Sequence, residues 1–365
     1  MKSITLFINT LGSGGAEHQL VQLADGLTER GYLVSIITFG DELDHYQYDS
    51  SIMRFRIAPQ KGKFLKLLMI WKFFFKVKTD WVIAFGQRES CYCLEGLLLR
   101  SRDKVRVIAS DRNTTYGKPS LAERLLMNVL YYRADYIVPN SYAQRSYILA
   151  QRPQLEKKTK TITNYTNLSK FANTILPSNK FLHIGVFGRY SPQKNCIRFV
   201  EAIKILHEKS NCSFIVDWYG NTHFKDSQLN DYYLKMREKV EEYGLREILF
   251  LNDHVRDVPN LMPSFDAICL PSIFEGFSNS ISEAICSGKP CLVSNVSDNS
   301  IMVRDGVNGF LFDPFDVESI VNAFLSYFKL SADERVAMGA ASRRRAEELF
   351  DRERFINSYV ELIES

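Results

Sequence analysis

Residues 267–290 narrow what this chain can fold into more than any other stretch. An apolar, strand-length run from Ala267 to Leu270 breaks at Pro271, and Glu275, Gly276 and Phe277 follow. The small polar segment Ser278, Asn279 and Ser280 then opens a helical run that carries Glu283 and closes at Ser287-Gly288-Lys289-Pro290. A strand feeding a short loop and a helix start gathers unpaired backbone N–H groups at one point, where the helix dipole also favours an anion. Phosphate suits such a point. Glu275 and Glu283 flank the turn, so a ligand lying over it would meet a carboxylate at each end, and carboxylates accept well from the vicinal hydroxyls of a sugar or ribose. Taken singly, Glu283 reads equally as a first-turn acid complementing the dipole, and Glu275 as a solvated loop acid. Their joint occurrence around Gly276 favours the ligand.

The rest of the chain supplies the frame for such a turn. At 365 residues it is long enough for two α/β domains. Its 45% hydrophobic and 24% charged residues argue against disorder and against a multi-span membrane protein. Strand-length apolar runs at residues 4–8, 33–39, 81–85, 105–109, 136–139 and 161–165 alternate with helical ones. A polar, proline-containing stretch at about 169–179 reads as a linker, and a second α/β pattern begins beyond it. The N-terminus reads as a first strand rather than a signal peptide, because its short apolar run leads into a glycine turn. Seven cysteines without framework spacing suggest reduced thiols and a cytoplasmic setting. Charge is uneven: residues 1–179 hold 25 Lys and Arg against 15 Asp and Glu, and residues 180–365 hold 21 against 27. The first half is therefore the one suited to an anionic surface. The basic run at 343–345 is followed at once by acids, which reads as a solvated helix face rather than a nucleic-acid patch.

Several shorter elements carry candidate chemistry. Gly14 and Gly15 sit in the turn after the first strand, where glycine lets backbone approach a ligand at a helix start, although such a turn also serves tight packing alone. Gly188, Arg189 and Lys194 follow the first strand of the second pattern. Two cations five residues apart on either side of a proline turn can clamp both ends of a diphosphate. Asp111 and Arg112 end the strand at 105–109, as cleft residues or as a pair that ties down a loop. Residues 61–78 hold six lysines and no acid in a dense apolar body too interrupted to span a membrane. They read either as a half-buried helix with snorkelling lysines or as an interfacial helix presenting Lys66, Lys72 and Lys76 to anionic lipid.

The Glu275-to-Glu283 signature, with the Gly-Arg-x4-Lys element and the Gly14-Gly15 turn, resembles the retaining, nucleotide-sugar-dependent glycosyltransferases of family 4. That resemblance implies the GT-B fold, an α/β architecture of two Rossmann-like domains facing across a cleft. The expected division is 1–175 for the acceptor, 176–345 for the donor, and a C-terminal helix at 346–365 returning to the first domain. It further implies a hexosyl or N-acetylhexosaminyl transfer from a nucleoside-diphosphate sugar, UDP-linked, to a lipid-linked or saccharide acceptor. This would occur at the cytoplasmic membrane face, in cell-surface glycan biosynthesis, with no metal and no nucleic-acid partner. Arg189 and Lys194 would neutralise the leaving diphosphate, aided by the amides around Ser278 to Ser280. Glu275 would hold the sugar hydroxyls and Glu283 the ribose, with the base near His254 and Val255. Many relatives carry a histidine in the region around Asp111, near the reacting sugar; this chain has none there, and Asp111 stands as the substitute contact. A nucleotide-sugar epimerase on the same architecture and a catalytically silent scaffold are the competing readings; intact Glu275, Glu283, Arg189 and Lys194 speak against the scaffold.

Overall fold

A computed structural model describes residues 1–12, 15–39, 44–57, 63–97, 105–112, 129–171, 181–222, 227–255 and 257–365. The chain forms two compact units, one of Met1–Tyr165 with Arg352–Ser365 and one of Thr166–Asp351. These limits fall at 165/166 and 351/352, rather than at 175/176 and 345/346.

The first unit is built on a six-stranded sheet of β1 (Ser3–Phe7), β2 (Leu33–Phe39), β3 (Met53–Ile57), β4 (Trp81–Phe85), β5 (Arg106–Asp111) and β6 (Tyr136–Pro139), in the order β3-β2-β1-β4-β5-β6. All pairings are parallel. Parallel neighbours need crossovers, and helices α1 (Gly15–Glu29), α2 (Lys63–Lys76) and α3 (Gln87–Gly96) supply three of them. Buried on both faces, the central strands are continuous apolar runs, and Val82, Ile83 and Ala84 have no exposed surface.

Two sequence expectations fail here. Residues 161–165 form no strand, for the β6 edge offers only an isolated bridge between Ile137 and Thr159. Tyr165 is instead held by Gln19, which accepts from its N–H at 2.7 Å and donates to its carbonyl at 2.5 Å. Conversely, Met53–Ile57 is an edge strand that the apolar-run reading passed over. Its Arg54 and Arg56 both pair with Asp44, at 3.0 and 3.1 Å.

The second unit repeats the plan with β7 (Leu182–Phe187), β8 (Phe214–Tyr219), β9 (Leu249–Asn252), β10 (Ala267–Leu270), β11 (Cys291–Ser294) and β12 (Gly309–Phe312), in the order β12-β11-β10-β7-β8-β9. Its pairings too are parallel. The Cys196–Lys209 and Val317–Phe328 helices pack one face of the sheet, with Phe199, Trp218 and Phe324 in a shared core.

The C-terminal helix Arg352–Glu364 belongs to the first unit and lies along α1. Arg352 grips Glu29 through both guanidinium nitrogens, at 2.6 and 2.7 Å. Between the two helices Gly26 has no room for a side chain: a Cβ there would stand 2.1 Å from Ile356 Cδ1. Gly26→Ala should therefore lower stability by about 1–3 kcal/mol in urea denaturation. Adding Ile356→Ala should cost less than the two single changes taken separately, because they share one contact.

Candidate active site

Strand order reverses in the second unit between β7 and β10, so the loops leaving their carboxyl ends emerge side by side. Ligands of open α/β sheets bind at such a reversal. The loop after β7 is fixed from beneath. Buried Tyr190 brings its hydroxyl within hydrogen-bond reach of the Trp218 and Asn252 carbonyls, at 2.8 and 2.7 Å. The Trp218 indole N–H donates to the Gly188 carbonyl at 2.7 Å. Asn195, in the left-handed region at φ 60°, anchors the far end by donating to the Pro314 carbonyl at 2.7 Å.

Contacts of backbone and side chain join this loop to the one after β10. The Ile273 N–H donates to the Gln193 carbonyl at 2.8 Å, and the Gln193 side-chain amide donates to the Phe274 carbonyl at 3.1 Å. Lys194 Nζ then meets Glu275 Oε1 at 2.5 Å, with the two side chains only 13% and 11% exposed. The lysine stem crosses Gly188 so closely that a Cβ there would lie 3.1 Å from its Cδ and Cε. Ser297 grips the Glu275 backbone on both sides: the Glu275 N–H donates to Ser297 Oγ at 3.2 Å, and the Ser297 hydroxyl donates to the Glu275 carbonyl. Arg189 is exposed, and its guanidinium is 3.5 Å from Gln193 Oε1.

The Asn279–Cys286 helix begins just beyond. Its N-cap residue Ser278 is buried, yet its hydroxyl does not cap a first-turn amide; it sits 3.2 Å from Ser280 Oγ. The first-turn N–H groups are thus left uncapped by that side chain, which suits an anion. Phe277 is buried with its ring edge against Phe350, while Gly276, Asn279 and Ser280 remain partly exposed. One turn into the helix, the Glu283 carboxyl has no hydrogen-bond or ion-pair partner among the described residues, and burial pushes it from 4.5 up to about 7.

Other expected residues land elsewhere. Gly14 and the linker segment 172–179 lie outside the described residues; Gly15 is the first residue of α1. His254 is exposed and Val255 half-buried after β9, two strands from β7 at the sheet edge. Asp111 and Arg112, expected as cleft residues or as a pair that ties down a loop, both make bonds within the first unit. Arg112 is buried, donating to Ser110 Oγ at 2.9 Å, Asn164 Oδ1 at 2.8 Å and the Tyr359 hydroxyl at 2.5 Å while lying over the Phe85 ring. Asp111, also buried, accepts from Tyr131 at 3.3 Å and Gln144 at 3.1 Å. On α2, Lys72 and Lys76 are exposed beside Trp71 and Leu65, but Lys66 turns inward, its Nζ 5.2 Å from the Phe39 ring centre.

The sequence reading missed the residues that hold others in place. Gln193 lies inside the Gly-Arg-x4-Lys element, so its position was the available signal; Ser297 carried none. It also missed Glu17 and Glu89, in the first turns of α1 and α3, whose carboxyls burial pushes up, with Glu17 raising Glu89 further.

Two parallel Rossmann-like sheets, with a cation-and-acid site at the strand reversal of the second, define a GT-B type of protein. Residues 13–170 match the family described as Glycosyltransferase Family 4, and residues 170–345 match Glycosyl transferases group 1. The chain belongs to the family 4 glycosyltransferases. It is 32% identical over 182 residues to an Escherichia coli UDP-Gal:alpha-D-GlcNAc-diphosphoundecaprenol alpha-1,3-galactosyltransferase, an alignment covering 46% of this chain and 44% of the relative. It is 26% identical over 327 residues, 85% of this chain and 84% of the other, to a Campylobacter jejuni alpha-1,4-N-acetyl-D-galactosaminyltransferase acting on a GalNAc-alpha-(1->4)-GalNAc-alpha-(1->3)-diNAcBac-PP-undecaprenol. Anabaena HepE, solved in complex with UDP and glucose, superposes with a TM-score of 0.82 over 99% of each chain at 19% identity, a likeness of fold.

The raised Glu283 carboxyl makes stability depend on pH. The folded protein keeps this proton up to about 7 and the unfolded chain only up to 4.5, so the folded state binds more protons in that window and loses stability as pH rises through it. Glu283→Gln should match the wild type in urea denaturation near pH 4 and exceed it near pH 8 by about 1–3 kcal/mol.

Proposed function

We propose that this protein transfers a sugar, with retention, from a nucleoside-diphosphate sugar to a lipid-linked acceptor at the inner face of the cell membrane. The observation that carries the reading is the meeting of Lys194 and Glu275 beside the uncapped start of the Asn279–Cys286 helix. A cation and a helix start that the Ser278 side chain does not cap suit a diphosphate, and a carboxylate next to them suits the hydroxyls of the sugar it bears. Lys194, Arg189 and the helix start would neutralise the charge that grows on the leaving diphosphate. Glu275 would hold the sugar, Glu283 the ribose, and His254 and Val255 would flank the base. Attack on the same face as the departing diphosphate, with a phosphate oxygen taking the acceptor proton, would retain configuration without a protein nucleophile. This scheme assigns charge neutralisation to protein groups and invokes no metal.

UDP as the nucleotide is supported by the HepE complex with UDP and glucose. A lipid-linked acceptor is supported by the undecaprenol-linked substrates named for the Escherichia coli and Campylobacter jejuni relatives. The first unit, with its excess of Lys and Arg, is the one assigned to the acceptor and to the membrane surface. No helix among the described residues is long and apolar enough to cross a membrane. On α2, Trp71 and Leu65 beside Lys72 and Lys76 pair apolar area with positive charge, the combination that rests on anionic lipid.

Nucleoside diphosphate release from a panel of nucleotide sugars, measured with and without membrane lipid extract, tests the reading. Release should depend on the extract. Lys194→Ala and Glu275→Ala should each reduce it by about 10²–10³-fold with the fold intact, and wild-type rates in either variant would overturn the assignment. Replacing Lys72 and Lys76 with Glu should weaken co-sedimentation with phosphatidylglycerol vesicles; unchanged sedimentation makes α2 a packing helix only.

A further inference from the structure

Glu275, the acid assigned to the donor's sugar, sits in a loop with no ladder or helical turn of its own to orient it. Residues 271–278 belong to no helix or strand, and the next residue, Gly276, has no side chain to restrict the backbone. A hold comes from a third loop, the one after β11. There Ser297 takes the left-handed conformation at φ 50°, which a residue with a Cβ adopts only at a cost. Its single hydroxyl meets both backbone groups of Glu275, accepting from the N–H at 3.2 Å and donating to the carbonyl. The frame around Ser297 is pinned on either side: the Asn295 N–H donates to the Phe312 carbonyl at 2.7 Å, and buried Asn299 donates from its side chain to the Ser294 carbonyl at 2.9 Å.

A costly backbone conformation at a polar residue directs attention to what its side chain does. Glycine would take φ 50° freely, so what the chain gains from serine at 297 is the hydroxyl and its two bonds. Those bonds fix the peptide planes on both sides of the Glu275 Cα, and with them the direction in which the side chain leaves the backbone. At its far end the carboxylate meets Lys194. We propose that Ser297 is a positioning residue for sugar recognition, acting through Glu275: it aims the carboxylate at the hydroxyls of the donor's sugar without itself meeting the ligand. This rests on the donor-site reading above and adds to it a residue from the β11 loop.

Calorimetric titration of the whole protein with UDP and GDP, and with UDP-glucose, UDP-galactose, UDP-N-acetylgalactosamine and GDP-mannose, tests it. In Ser297→Gly, which relieves the backbone and loses both bonds, affinity for the nucleotide sugar that the wild type binds should fall about three- to thirtyfold, while affinity for the bare nucleotide stays within about twofold. A role confined to holding the loop would lower both together; that result overturns the inference, as does an unchanged nucleotide-sugar affinity. Ser297→Ala removes the same hydroxyl and keeps the strained backbone, so it should show the same selective loss. A loss in the Ala variant but not in the Gly variant would assign the effect to backbone strain and overturn the inference. Should the Gly variant fail to fold, the Ala variant is read by the same criterion. In a Glu275→Ala background, Ser297→Gly should leave nucleotide-sugar affinity unaltered, and a further loss there would mean that Ser297 meets the ligand directly. Wild-type protein that binds none of these nucleotide sugars overturns the donor-site reading itself, whereas binding that is indifferent to Ser297 overturns only the inference.

Discussion

The second unit's site depends on an ion pair between residues 81 positions apart, Lys194 and Glu275, held at 2.5 Å with little exposed surface. Taking two charges out of water is costly, and mutual attraction offsets that cost only when geometry is good and neighbouring polar groups are satisfied. Here the surrounding bonds meet the condition. Tyr190 and Trp218 fix the lysine loop to the ends of neighbouring strands, Gln193 ties it to the acid's loop, and Ser297 holds the acid's backbone. None of this would form without the parallel order that sets β10 directly beside β7.

The same loop and helix hold two carboxylates in opposite circumstances. Glu275 faces a cation, whereas the Glu283 carboxyl has no partner among the described residues and burial raises it to about 7. Environments that separate two like groups in this way commonly mark a division of chemical roles. The helix start between them adds a third element that costs no reorganisation, since its N–H groups are oriented by the helix and not by a ligand. In the first unit, Glu17 and Glu89 occupy the first turns after β1 and β4, the equivalent strand reversal, and there too burial raises both carboxyls.

Much of this was legible along the chain because the signals were local. The glycine, the cations and the acids lie within one loop or one loop-and-helix segment each, and apolar runs marked the buried strands. What escaped was set by partners far away in sequence. Met53–Ile57 alternates apolar and arginine residues, and becomes a strand because Asp44 satisfies both arginines at the sheet edge. Residues 161–165 have strand-like composition, but Gln19 takes the Tyr165 backbone groups. Asp111 and Arg112 stand at a strand end where ligands are usually met; the C-terminal helix brings Tyr359 to Arg112, so the guanidinium ties that helix to β5.

Periodicity, glycine placement and the spacing of charges determined the alternating α/β plan, the existence of two sheets and the residues proposed to grip a diphosphate, for each is written within a few neighbouring positions. Which charge faces which was decided only by tertiary structure. Lys194 turned onto Glu275, Lys66 turned in to the Phe39 ring, and Arg112 went beneath the C-terminal helix because long side chains settle where desolvation, packing and a distant partner balance. Strand order brings those partners together, and it is not encoded in any short stretch of the chain.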